Sequence, residues 1–345
     1  MSIPLDKLRA VKRIICHGPF CADGRASAMI LKQALPYAEV EFMNYNDPRH
    51  IELEAEPGLL FCDFSPFTPK VRDDANPTPE ELEARAKADE RVREMVAAGA
   101  IALDHHGTQK RVIDMFGDQG VYGETEDGIS GAVLAFQEVW DPICREELEP
   151  AIYDAYRPIV REFARIAGIR DTWRNKHEDF IAGCEQREGL LFWDINELLE
   201  LAPPSWAEKL AIGPLLWANH QRSIRKFLDR GIRYTTDKGT RVCIAPGLAP
   251  TSDAAEMLDS DPPEQHVDLL VGFGYTIEPN AKGEQVINLV FSMRSHTGYR
   301  CDLLAKSHGG GGHKPAAGFS QAVDVENDRN PYKVFRDALG AYEAQ

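Results

Sequence analysis

The chain has 345 residues, 43% of them hydrophobic and 27% charged, with a formal net charge of −16. That is the composition of a soluble globular protein long enough for two domains. It excludes a membrane span, which needs roughly 18–20 consecutive apolar residues, and the acidic balance disfavours long-range attraction of extended nucleic acids, which are held through many Lys and Arg contacts. Small or short phosphorylated substrates fit better. The N-terminus lacks a basic-then-apolar leader pattern. The seven cysteines are scattered, with no CxxC pair. Both features predict a cytoplasmic protein without a disulfide framework.

In chain order, residues 11–17 (VKRIICH) read as a buried strand, followed by the turn-rich stretch 18–24 (GPFCADG) and a helix over about 27–35. Residues 40–45, 59–63 (LLFCD) and 100–103 read as further strands. The alternation of strand and helix predicts an α/β fold, with an N-terminal, mainly parallel, doubly wound sheet. Ligands bind beyond the carboxyl ends of such strands, and His17, Asp63 and Asp104 fall at or just past three of them. Residues 67–98 are Pro-rich and then strongly charged, and read as a solvated helical insert. Helices are expected over 129–141, 149–168, 189–200 and 205–230. A smaller α/β domain follows, with strands at 240–244, 267–276 and 285–293 and helices at 303–307 and 330–343. The expected division is a first domain over 1–200, a helical connector over 201–235 and a second domain over 236–345.

Two motifs stand out. Asp104-His105-His106 closes an apolar run, and Gly309-Gly310-Gly311-Gly312-His313 precedes Lys314-Pro315-Ala316-Ala317-Gly318. The first offers metal ligands. The second is a glycine run whose backbone N–H groups could approach phosphate closely. His17 with Asp23, then Asp63, then the Asp104–His106 cluster, then Asp171 in IRDTW, make a mixed His/carboxylate set. Such a set suits Mn²⁺, and less specifically Fe²⁺, Zn²⁺ or Mg²⁺. Two ions about 3.5–4 Å apart can clamp a phosphate and activate water. That arrangement needs a shared carboxylate, for which Asp63 is the candidate. Cys16 and Cys62 sit next to candidate ligands on their strands, so their side chains face the other way, into the core. Arg25 is open to two readings, a substrate-phosphate contact or a solvated side chain.

Carried by these motifs, with Phe291-Ser292-Met293-Arg294-Ser295 and Ala305-Lys306-Ser307-His308 ahead of the glycines, the chain resembles the DHH/DHHA1 phosphoesterase family. That family includes RecJ-like exonucleases, nanoRNase-type oligonucleotide phosphatases and cyclic-dinucleotide phosphodiesterases. Residues 12–175 resemble the DHH domain and 240–322 the DHHA1 domain. The resemblance implies an active site in the cleft between the two. It implies one metal on His17, Cys21 and Asp63, and a second on Asp23, Asp63, His105 and Asp171. Asp104 would orient a ligand, and His106 would face the scissile phosphate. Arg294, His313 and the backbone of Gly310, Gly311 and Gly312 would hold substrate.

Cys21 departs from the pattern, which places an aspartate there. Three readings are open: a weakened first site, a softer metal on the sulfur, or a bystander thiol. The implied activity is divalent-metal-dependent hydrolysis of short oligonucleotides or single-stranded nucleic acid to mononucleotides. The alternatives are a small-molecule phosphoesterase, acting on a cyclic dinucleotide or 3′-phosphoadenosine phosphate, and a catalytically weakened nucleotide-binding protein. The oligomeric state is open, a homodimer included.

Overall fold

The computed structural model of the chain describes residues 3–45, 47–69, 77–248, 251–279, 285–323 and 330–344. It divides into two compact units, Met1–Trp217 and Ala218–Gln345. The division falls inside the segment expected to be a connector, whose Trp206 and Leu210 are buried in the core of the first unit.

The first unit is built on five strands: β1 (Arg13–His17), β2 (Glu39–Met43), β3 (Leu59–Cys62), β4 (Ile101–Asp104) and β5 (Gly120–Tyr122). They form an all-parallel sheet in the order β2-β1-β3-β4-β5. The central strands are apolar without interruption because both of their faces are covered. Ile14, Cys16, Leu60, Cys62, Ile101 and Leu103 pack on one face against Ala26, Met29 and Ile30 of helix Ala22–Ala34, and against Val160 and Phe163 of helix Pro150–Asp171. Their neighbours Ile15, Leu59, Phe61 and Ala102 pack on the other face, against Val92 and Met95 of helix Pro79–Ala97 and Val112 and Ile113 of helix Lys110–Asp114. Cys16 and Cys62 are thus core thiols, as their strand positions predict.

The charged segment does form a helix, Pro79–Ala97. Thr78 starts it through a reciprocal capping box with Glu81, with bonds of 3.2 and 2.9 Å. It is more than a solvated excursion. Ala88, Val92 and Met95 are buried, so this helix is the crossover that returns the chain from β3 to parallel β4. The part of the expected insert at 70–76 lies outside the described residues. The expected helix over 129–141 is present as Gly131–Leu134, six residues of wider π-type turns (Ala135–Trp140) and Asp141–Glu147. Pro142 explains the widening, since its ring lacks an N–H and crowds the carbonyl four residues back.

The second unit is an α/β domain around a mixed sheet. Its strands are β6 (Ile232–Thr235), β7 (Arg241–Pro246), β8 (Leu269–Pro279), β9 (Gln285–Arg294), β10 (Gly311–His313) and β11 (Ala316–Ala322). The order is β10-β11-β9-β8-β7-β6, antiparallel except for β7 beside β8. Leu289, Phe291 and Met293 alternate onto one face with Leu304, Phe335 and Leu339. Cys243, Ala245 and Leu270 meet Ile224, Phe227 and Leu258 on the other. Among the described residues, no helix is long and apolar enough to cross a membrane.

Because helix Pro79–Ala97 covers the sheet, Met95→Ala is expected to lower stability by about 2–5 kcal/mol. Glu94→Ala, its exposed neighbour, should change it by no more than about 0.5 kcal/mol. Urea unfolding of the two variants checks this, and equal small effects would show that the helix is not part of the core.

Candidate metal centre

The strand order reverses between β1 and β3, and in open α/β sheets such a switch point is where ligands bind, outside the carboxyl ends. Parallel strands bring their carboxyl ends to one edge. β1 ends on His17, β3 runs directly into Asp63, and β4 ends on Asp104. Asp63 has φ of 55° and Trp173, two residues past Asp171, has φ of 54°. Among the described residues these are the only non-glycine residues with positive φ, a conformation that costs energy and collects at functional sites.

Asp63 is buried, and its two carboxylate oxygens face different partners. Oδ1 lies 3.1 Å from His105 Nε2. Oδ2 lies 3.3 Å from Cys21 Sγ and 3.8 Å from His17 Nδ1. His105 Nε2 also lies 3.3 Å from Asp171 Oδ2 and 3.8 Å from Asp23 Oδ2. Within each of the groups His17–Cys21–Asp63 and Asp23–His105–Asp171, the ligand atoms lie within 4.8 Å of one another. The six candidate ligands therefore come together in two groups that meet at Asp63.

Helix starts hold these side chains in place. Cys21 is the N-cap of helix Ala22–Ala34, its sulfur accepting the Gly24 N–H at 3.5 Å. A Cβ on Gly24 would stand 2.3 Å from the His17 carbonyl oxygen, so only glycine lets this helix press against the end of β1. Asp23 accepts from Ser130 Oγ at 2.7 Å, Gly131 N at 2.7 Å and Ala132 N at 3.2 Å. It thereby caps a second helix more than one hundred residues away. A Cβ on Gly131 would meet Asp63 Cβ at 2.4 Å. Asp104 Oδ1 accepts from the backbone N–H groups of His105 and His106 and sits 2.7 Å from His106 Nδ1. Thr125 Oγ1 donates to the His105 carbonyl at 3.1 Å. The rings of Phe64 and Tyr45 wall the His17 side, at 6.0 and 5.3 Å.

The electrostatics are those of crowded anions. Burial, then the charges of Asp23 and Asp171, push the Asp63 carboxyl well above the usual carboxylate range. Burial and Asp23 raise Asp171 to about 6. Burial, then the neighbouring His106, lowers His17. At His106 burial opposes the charged form, but the hydrogen bond to Asp104 and the charges of Asp104 and Asp63 outweigh it and raise the imidazole to about 9. Burial and Asp63 raise the Cys21 thiol. A bound cation would reverse this balance, favouring ionised carboxylates and thiolate.

Arg25 answers to neither reading of the sequence. It is buried, and its guanidinium donates to the carbonyls of Pro19, Leu190 and Trp193. It is a clamp between the loop before helix Ala22–Ala34 and the end of helix Phe180–Phe192. A cavity of about 200 Å³ opens beside Cys21, Asp23 and Asp171, with Phe20, Arg170 and Arg187 in its lining.

In the second unit, Arg294 Nε donates to Ser252 Oγ at 2.9 Å, and Nη1 donates to Ser292 Oγ at 3.2 Å. Arg294 and His313 both lie in register with Ala316 of the strand between them, so the three share one face of the sheet. His313 is exposed. The glycine run is a hairpin strand rather than an open loop. A Cβ on Gly310 would meet the Gly318 carbonyl at 2.2 Å and one on Gly312 would meet Ala317 Cα at 2.5 Å, whereas one on Gly311 would meet nothing within 4 Å. His308 stacks on Phe319 and contacts the Ala338 carbonyl, a packing role.

No protein-family model matches the sequence, and no curated protein matches it. Solved structures do. The chain is similar to the DHH domain of a member of a family of ribosomal proteins, with a TM-score of 0.52 at 15% identity over 98% of this chain and 87% of that one. It is also similar to a pGpG-specific phosphodiesterase from Vibrio cholerae (TM-score 0.43, 13% identity, 96% and 99% coverage). An exopolyphosphatase-related protein from Bacteroides fragilis gives a TM-score of 0.47 at 14% identity, with 99% and 95% coverage. The first of these likenesses shows that the chain has the DHH-domain fold implied by its sequence motifs.

With no metal bound, His106 holds its proton more tightly folded than unfolded. The stability it contributes is fully present below the unfolded histidine value of about 6.5 and is lost as pH rises through about 9. Urea unfolding of metal-stripped wild type and Asp104→Asn should show a stability gap at neutral pH that narrows above about pH 9. A gap that ignores pH would remove His106 as the source.

Proposed function

We propose that this protein is a divalent-metal-dependent phosphoesterase that hydrolyses phosphodiester bonds of short oligonucleotides or single-stranded nucleic acid to mononucleotides. One observation carries the reading: the two oxygens of buried Asp63 face two separate ligand groups, as a carboxylate shared between two ions must. The donors fit cations. His17 Nδ1 and Asp104 Oδ2 are buried without a hydrogen-bond partner, and each of these residues shares a compact donor group with Asp63. His17, Cys21 and Asp63 would hold one ion, and Asp23, Asp63, His105 and Asp171 the other. Oxygen and imidazole donors suit Mn²⁺, with Mg²⁺, Zn²⁺ and Fe²⁺ as alternatives. When bound, such a pair supplies positive charge to the phosphoryl oxygens and an activated water.

The chain's own groups do the rest. Asp104 fixes the backbone of His105 and His106 and takes the Nδ1 side of the His106 ring, which leaves Nε2 to donate to a phosphoryl or leaving oxygen. Thr125 steadies the same segment through its hydrogen bond to the His105 carbonyl. Asp23, tied to Ser130, Gly131 and Ala132, is a rigid ligand rather than a mobile one. In the second unit, Arg294, held in line by two serine hydroxyls, and His313 on the same sheet face form a surface suited to a phosphate or a base.

Metal-stripped protein supplied with Mn²⁺, Mg²⁺ or Zn²⁺ and end-labelled RNA and DNA, from dinucleotides to long single strands, tests the proposal. Mononucleotide release is expected, fastest on the short substrates. No cleavage of any strand with any ion would overturn it, in favour of a small-molecule phosphoesterase or a catalytically weakened nucleotide-binding protein. His105→Ala and Asp63→Asn should reduce turnover to background. His313→Ala should raise KM with little change in kcat, and equal mild effects from all three would contradict this division of roles.

A further inference from the structure

The two ligand groups that meet at Asp63 differ in chemistry. Asp23, His105 and Asp171, with Asp63 Oδ1 3.1 Å from the same His105 nitrogen, offer three carboxylates and one imidazole. His17, Cys21 and Asp63 offer nitrogen, sulfur and oxygen. The sulfur is placed there by the fold. Of the seven cysteines, six are buried and Cys21 alone is partly exposed. As N-cap of helix Ala22–Ala34, held against β1 by the missing side chain of Gly24, Cys21 points its Sγ to within 3.3 Å of Asp63 Oδ2. The same oxygen lies 3.8 Å from His17 Nδ1, which is buried and has no hydrogen-bond partner. An imidazole nitrogen without a hydrogen-bond partner, grouped with a thiol and a carboxylate, is a donor set that a cation could satisfy. Thiolate and imidazole donors select Zn²⁺ and Fe²⁺, whereas carboxylates select Mg²⁺ and Mn²⁺.

We propose that the two groups hold unlike ions. His17, Cys21 and Asp63 bind a borderline-soft divalent ion, Zn²⁺ or Fe²⁺, with the Cys21 sulfur as a ligand, and Asp23, Asp63, His105 and Asp171 bind a hard one, Mn²⁺ or Mg²⁺. The inference rests on the two-ion reading given above. As the sulfur–metal bond forms, the S–H bond breaks and its proton passes to solvent, with no change of oxidation state, so binding at this site releases acid. The sulfur thus acts as a selector, making one half of the centre discriminate against the ion that the other half prefers.

The test uses the metal-stripped full chain with Co²⁺ as a spectroscopic stand-in for Zn²⁺. Wild type should develop the intense near-ultraviolet band of thiolate-to-cobalt charge transfer. Zn²⁺ should bleach it, and Mn²⁺ in excess should not. Cys21→Ser should lack the band yet still bind Mn²⁺ at the other group. After exposure to the same mixture of Zn²⁺ with a large excess of Mn²⁺, elemental analysis should find a lower Zn²⁺-to-Mn²⁺ ratio in Cys21→Asp than in wild type, and an unchanged ratio would count against the sulfur as a ligand. Cobalt binding without the band in wild type, or a band that persists in Cys21→Ser, would overturn the proposal while leaving the two-ion reading intact. Failure of wild type to bind any of these ions would sink the two-ion reading itself. Should Cys21→Ser not fold, the wild-type band and the metal content of Cys21→Asp decide the matter.

Discussion

The burial of carboxylate charge at the mouth of a parallel sheet is the constraint around which the first unit is organised. Asp63 lies at the end of the central strand β3 with Asp23 and Asp171 close by, and the contacts these three make there are with imidazoles, a thiol, and hydroxyl and backbone donors. Carboxylates crowded together in such a place are expensive. The chain offers partial answers: backbone and hydroxyl donors for Asp23, and a raised proton affinity for Asp63 and Asp171. A divalent cation would answer all three at once.

Topology makes that burial possible. Only parallel strands place three consecutive strand ends along one edge, and only a reversal of strand order leaves a crevice between β1 and β3 in which side chains can meet. Two helices begin at this edge, and their unpaired N–H groups stabilise negative charge. Asp23 belongs to the first turn of one and caps the other. The close approach also explains Gly24 and Gly131, since a methyl group at either would push apart the segments that carry His17, Asp23 and Asp63. Packing and chemistry are therefore the same problem in this unit, whereas in the second unit the glycines at 310 and 312 answer to packing within a hairpin.

Much of this was legible in the sequence because the signals are local. Apolar runs marked β1 to β4, and the polar residue at each strand end marked the edge of the sheet. The candidate ligands were picked out as residues, and the structure brings all six together. What was missed is non-local. Three-residue β5 carries no alternation long enough to read and exists because β4 offers an edge to pair with. The partners of Asp23 lie in a different part of the chain, Ser130 to Ala132, and an S-G-A tripeptide has no distinguishing pattern. Arg25 could not be assigned because its acceptors are backbone carbonyls from other segments. The charged helix Pro79–Ala97 looked solvated because only three of its residues are buried, too few to outweigh its surface.

The left-handed backbone at Asp63 has an evolutionary consequence. Glycine, asparagine and aspartate are the residues that adopt such a conformation most readily, and of these only aspartate brings a charge that two ions could share. Backbone and chemistry together leave one residue type suited to position 63. If Asp63 is the shared ligand proposed above, a lineage released from selection for metal binding would meet least backbone resistance in drifting to asparagine or glycine there, since either accepts the left-handed conformation. On that proposal position 63 would be a sensitive marker for telling functional relatives from silent ones, because the backbone conformation alone does not require aspartate.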